Sequence, residues 1–120
     1  MEHLYQKDKP YGGYGSYEAF VDYMNDPEGG DFGFFYKDKE YWIIYQQIRT
    51  RRKKRDVIGV YYTDACALSD EEANRQIKET QVFFPGHDIR NVIENYIMYD
   101  GRLFKDILKE VGSIEWIYGL

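Results

Sequence analysis

Between Asp31 and Asp64 the chain carries three runs rich in aromatic and β-branched residues, separated by short polar segments. That pattern predicts three antiparallel strands. In the first, Phe32, Phe34 and Tyr36 share one face and Phe35 the other, and a tight reversal is expected at Asp38-Lys39. In the second, Tyr41, Ile43 and Tyr45 alternate with Trp42, Ile44 and Ile48, so both faces are apolar. Such a strand belongs in the middle of a sheet, covered at least partly on both sides. The third sets Ile58, Val60 and Tyr62 against Val57 and Tyr61, with Gly59 marking a bulge or the close approach of a neighbouring ring.

The flanking segments switch to helical spacing. Ser16 is placed to cap a helix over 17–25 with Tyr17, Phe20, Val21 and Met24 on one stripe, ended by Asp26-Pro27-Glu28-Gly29-Gly30. Ser69 and Glu72 form a capping box, but only Ala73 and Ile77 follow as apolar residues, so that helix is expected to be short or peripheral. Residues 81–84 read as a fourth short strand before Pro85-Gly86. Asp88 is placed to cap a helix bearing Ile89, Val92, Ile93 and Tyr96. After a turn at Tyr99-Asp100-Gly101, the stripe Leu103, Phe104, Ile107, Leu108 and Val111 predicts the strongest helix, stopped at Gly112, and 113–118 alternates as a closing strand. The expected fold is α+β: a single domain over 16–120, with an antiparallel sheet of about four to five strands and helices mainly on one face. Residues 1–15, with Pro10, Tyr11 and Tyr14 among glycines, read as a flexible Tyr/Gly-rich arm. The Gly12-to-Gly15 spacing lacks the preceding strand and the Gly-Lys-Ser/Thr ending of a phosphate loop.

Two stretches carry a resemblance. Ser16-Tyr-Glu-Ala-Phe-Val-Asp-Tyr23 followed by Phe32-Gly-Phe-Phe-Tyr-Lys-Asp-Lys-Glu-Tyr-Trp-Ile43 resembles the helix-then-hairpin opening of small uncharacterised bacterial and phage α+β proteins. Asp88 through Ile117 is similar to their tail of short helix, Asp-Gly turn, helix and strand. The likeness covers roughly two thirds of the chain and lies in apolar positions and turns. It implies the fold and brings no activity or functional residues with it.

Charge changes this picture more than composition does. The 120 residues carry a net charge of −5, yet six of the 16 basic residues, Arg49, Arg51, Arg52, Lys53, Lys54 and Arg55, lie in one run. The rest of the chain holds 10 basic residues against 21 acidic ones. A basic knob on an acidic body calls for a compensating anion: solvent counterions, the body itself, or a partner. Tyrosine supplies 13 of the aromatic residues. Tyr5, Tyr11, Tyr14, Tyr17, Tyr23 and Tyr99 fall in polar or terminal settings, which suits a recognition surface.

Candidate chemistry is sparse. Cys66 is the only cysteine, which excludes an intramolecular disulfide and a Cys-x-x-Cys site and fits a reducing, cytoplasmic setting. The first residues lack the apolar core of a signal peptide, and no stretch reaches the roughly 20 apolar residues of a membrane span. Cys66 and His87 could act as nucleophile and base only if folding brought them together. The same condition applies to Asp64, Asp70, Glu71 and His87 as metal ligands, and no cofactor or metal is expected. The expectation is therefore a non-enzymatic binding protein that docks on a macromolecule. By analogy of fold and size its class is that of inhibitors, immunity proteins or anti-defence factors of bacteria and phages. Its partner-binding residues are the six cations of 49–55 with Tyr11 and Tyr14. A protein partner ranks slightly ahead of nucleic acid, because the acidic body would repel a long polyanion. An open sheet edge at 81–84 or 113–118 also admits pairing with a second copy.

Overall fold

The strand that is apolar on both sides becomes the middle of the sheet. In the computed structural model, which describes Tyr11, residues 16–25 and residues 31–118, the elements run α1 (Tyr17–Met24), β1 (Phe32–Tyr36), β2 (Lys39–Arg49), β3 (Lys54–Asp64), α2 (Asp70–Thr80), β4 (Val82–Pro85), α3 (Ile89–Asn95), α4 (Phe104–Lys109) and β5 (Ile114–Tyr118). The five strands form one antiparallel sheet in the order β4-β3-β2-β1-β5. The chain is thus a single α+β domain. The expected Tyr/Gly-rich arm, apart from Tyr11, and the turn at 26–30 lie outside the described residues.

One face of the sheet makes the core. Phe32, Phe34 and Tyr36 of β1, Tyr41 and Ile43 of β2, Ile58 and Val60 of β3 and Trp116 of β5 alternate onto it. The apolar stripes of α1 (Phe20, Val21, Met24), α3 (Ile89, Val92, Ile93) and α4 (Phe104, Ile107, Leu108) close over them. Phe34 sits at the centre, its ring stacked on Tyr41 at 5.3 Å and on Phe104 at 5.5 Å, with Trp116 edge-on at 5.3 Å. Local capping selects the helix starts. The Ser16 hydroxyl accepts from Ala19 N, the Ser69 hydroxyl from Glu72 N and the Asp88 carboxylate from Arg90 N, each supplying an acceptor to a donor that the helix leaves unpaired.

The opposite face carries Trp42, Ile44 and Tyr61, half-buried, and Phe83, exposed. Both strand glycines there answer to rings. A Cβ on Gly33 would lie 2.7 Å from the Trp42 indole, and one on Gly59 would lie 3.4 Å from Phe83. Gly59 therefore makes room for a ring, and its register with Ile44 and Phe83 is regular.

Two termini differ from their expected places. The first reversal is Lys37-Asp38, since Tyr36 pairs with Lys39, and Lys37 takes φ 55°. Two-residue hairpins require positive φ to match the strand twist, so register moves the turn one residue ahead of the expected Asp38-Lys39. Helix α4 is only six residues long, and Val111, expected on its apolar stripe, is exposed. Arg102 holds the Glu110 carboxylate, which also accepts from Ser113, at the residue where the helix stops. Helix α2 is peripheral, as its sparse apolar residues suggest, but long. It lies along the part of β3 that extends past β4. There Thr80 Oγ1 accepts from Tyr62 N at 3.0 Å and donates to Tyr62 O at 2.9 Å, and Gln76 Oε1 accepts from Asp64 N at 2.8 Å. Two side chains thereby replace a strand ladder and satisfy that edge. Pro85 fits in β4 because an edge strand leaves one side of its backbone free of partners.

Residues 96–103 cross the end of the sheet where β2 begins. Tyr99 N donates to the Tyr41 hydroxyl at 2.9 Å, and the Tyr99 hydroxyl donates to Asp38 at 2.8 Å. Asp100 accepts from Lys37 Nζ at 2.8 Å and from the Tyr36 hydroxyl at 2.7 Å. The Lys37 ammonium and the Tyr36 hydroxyl hold the Asp100 carboxyl down to about 2. A carboxylate depressed on folding contributes stability above its unfolded value, about 3.9, and that contribution is lost as pH falls through about 2. Urea denaturation should therefore show stability falling between pH 4 and pH 2. Asp100→Asn should be less stable at pH 7 and show a shallower acid fall. An unchanged acid slope would remove Asp100 from this account.

Candidate functional site

The β2–β3 hairpin is longer than its neighbours. Its ladder runs unbroken from Lys39 opposite Asp64 to Arg49 opposite Lys54, whereas β1 pairs only with Lys39 to Ile43 and β4 only with Val57 to Val60. Residues 47–56 consequently extend past both neighbouring strands as a two-stranded arm. Only Thr50, Arg51, Arg52 and Lys53 form the loop, closed by Thr50 N donating to Lys53 O at 2.9 Å. The basic run is thus divided between two strand ends and a four-residue tip.

Alternation sets where the cations stand. Arg49 and Lys54 are opposite each other and share the parity of Tyr45 and Ile58, the face that the helices cover further along. Arg55 pairs with Ile48 on the other parity. The arm therefore has cations on both faces as well as at its tip, and all six are exposed. Arg49 facing Lys54 is a like-charge cross-strand pair, a destabilising arrangement. Outside the arm, five of the eight described Lys and Arg side chains are paired with carboxylates. Lys37, Lys39, Arg75, Arg90 and Arg102 hold Asp100, Asp64, Glu72 with Glu79, Glu18 and Glu110 respectively. Among the described residues none of the six arm cations has a carboxylate within 4.0 Å.

At the base of the arm, Tyr45, Gln46, Gln47, Asp56 and His87 line a shallow cleft of about 290 Å³. Gly86 N donates to Asp56 O at 2.9 Å, which brings the β4–α3 connection against β3. The His87 ring lies 4.6 Å from that of Tyr45, whose hydroxyl donates to Met24 O at 2.7 Å. Burial pushes the Tyr45 hydroxyl well above its ordinary pKa, so it stays protonated and holds this contact. Gln46, Gln47 and His87 did not stand out as one group in the sequence. Only the pairing of Gln47 with Asp56 and the Gly86 contact gather them.

The structure does not bring Cys66 and His87 together. Cys66 follows the C-terminal end of β3 beside Asp38 and Asp64, while His87 lies by Asp56 near its other end. The eight residue steps from Asp56 to Asp64 span roughly 26 Å at about 3.3 Å per residue. Asp64 and His87 are separated in the same way, and among the described residues no three His, Cys, Asp or Glu side chains form a metal-holding group. Tyr11 packs against Tyr17 and Phe20 of α1, on the helical side of the sheet, and Tyr14 and Tyr5 lie outside the described residues. Tyr17 donates to Glu94, Tyr23 packs against Phe32 and Tyr99 donates to Asp38, so these rings have roles within the fold. Among the described residues no helix is long and apolar enough to cross a membrane. No family model, curated protein or solved structure matches the chain.

Proposed function

We propose that this chain is a non-enzymatic binding protein that docks on an anionic macromolecule through the arm at 47–56. One observation carries the reading. The protein pairs most of its other described cations with carboxylates, yet leaves six together and unpaired on a projecting hairpin, two of them directly opposed. Such an arrangement costs the free protein stability and favours association with a negative partner. The absence of a gathered Cys66–His87 pair leaves docking as the better supported mode. Small size and an acidic body support an inhibitor, immunity or anti-defence role of the kind found in bacteria and phages, acting by occupying a partner's surface.

The reading is tested by retention on immobilised polyglutamate and on immobilised heparin at physiological salt. The native protein should be held by at least one of the two and released as salt rises. The triple variant Arg51→Ser, Arg52→Ser, Lys53→Ser should elute early, with far-UV circular dichroism and Tm unchanged. Failure of the native protein to bind either matrix, or equal retention of the variant, would contradict the proposal.

A further inference from the structure

Resting on that reading, we infer that the partner class is duplex DNA and that the arm enters a groove of the double helix. The distribution of charge over the arm selects this partner. A flat acidic protein patch can meet only one face of a ribbon. Here Arg49 and Lys54 stand on one face, Arg55 on the other and Arg51, Arg52 and Lys53 around the tip. That array suits a partner with negative walls on either side. A DNA groove provides them, and the major groove, about 12 Å wide and about 8.5 Å deep, admits a two-stranded β-ribbon. From Gln47 opposite Asp56 to Arg49 opposite Lys54 the arm rises roughly 7 Å before the four-residue tip, a reach comparable to the groove depth. Arginine, four of the six cations, matches phosphate oxygens with its planar fork of donors.

Part of the acidic surface lies far from the arm. Its carboxylates at Asp38, Asp64 and Asp100 gather where β2 begins. Ten residues of β2 separate that end from Arg49, roughly 33 Å along the strand. The Debye length at physiological salt is about 8 Å, so their repulsion is screened several-fold over that distance.

The experiment measures fluorescence anisotropy of a labelled 20-base-pair DNA duplex from 50 to 200 mM salt, beside the same single strand, a duplex RNA of equal sequence and labelled polyglutamate. Four to six phosphate contacts predict a slope of log affinity against log salt between about −3.6 and −5.4 for the DNA duplex. Single substitutions Arg49→Ser and Arg55→Ser, on opposite faces, should each reduce the slope by about 0.9. Binding to polyglutamate without binding to DNA overturns the groove inference and leaves the anion-docking reading intact. Binding to none of the four probes overturns both. Equal or tighter binding to single-stranded DNA or to duplex RNA, or a DNA slope sensitive to only one face of the arm, also overturns the inference.

Discussion

Replacing Phe34 with alanine should cost about 3–5 kcal/mol of folding stability, the range for removing a buried phenylalanine. The ring is 1% exposed and lies between Tyr41 and Phe104, with Trp116 against its edge. These neighbours come from β2, α4 and β5, so the cavity would open where three separate chain segments meet. Each segment is held by its own backbone pairing, which limits how far the walls can close. For a domain of this size the loss is a large part of total stability. Urea denaturation of the native protein and the Phe34→Ala variant measures it directly. A loss below about 1 kcal/mol would show that this stack is not the centre of the core.

The second large effect concerns the arm. Reversing its tip with Arg51→Glu, Arg52→Glu and Lys53→Glu changes 47–56 from six cations and one carboxylate to three cations and four carboxylates. Hydrogen bonds to charged groups contribute roughly 1.5–3 kcal/mol each. Losing three at the low end should weaken binding to the proposed anionic partner on the order of 10³-fold. Stability should move the other way, because the carboxylates relieve the repulsion among Arg49, Lys54 and Arg55. Equal or raised Tm with lost binding separates a docking element from a structural one. A fall in Tm matching the loss of binding would instead assign the cations a role in folding.

The strands were readable because period-two patterns of aromatic and β-branched residues do not fit a helix, and β2 was readable as central because it is apolar on both sides. Ser16, Ser69 and Asp88 were readable as caps because each bond spans two or three residues and depends on little else. Features set by distant partners were not readable. Helix α4 ends at the Glu110 contact with Arg102, which no local pattern reveals, and the first turn moved because strand register places positive φ on Lys37. The tyrosines show the same limit. Tyr17, Tyr23 and Tyr99 look unaccounted for until the fold supplies Glu94, Phe32 and Asp38. For the arm, the six cations were plain in the sequence. That no described carboxylate reaches them depends on where the chain carries its acidic residues, and the ladder register decides that.

Mapping the contact by NMR tests most directly whether binding belongs to the arm. Titrating uniformly 15N-labelled protein with a DNA duplex should shift the backbone amide signals of residues 46–57 and of Gly86 and His87 at the cleft. Amides of α2, α4 and the Asp38–Asp100 end should remain still. The same titration with the tip-reversed variant should leave the spectrum unchanged. Shifts centred instead on the Trp42 and Phe83 face or on the α1 and α3 surface, with the arm unmoved, would contradict the account.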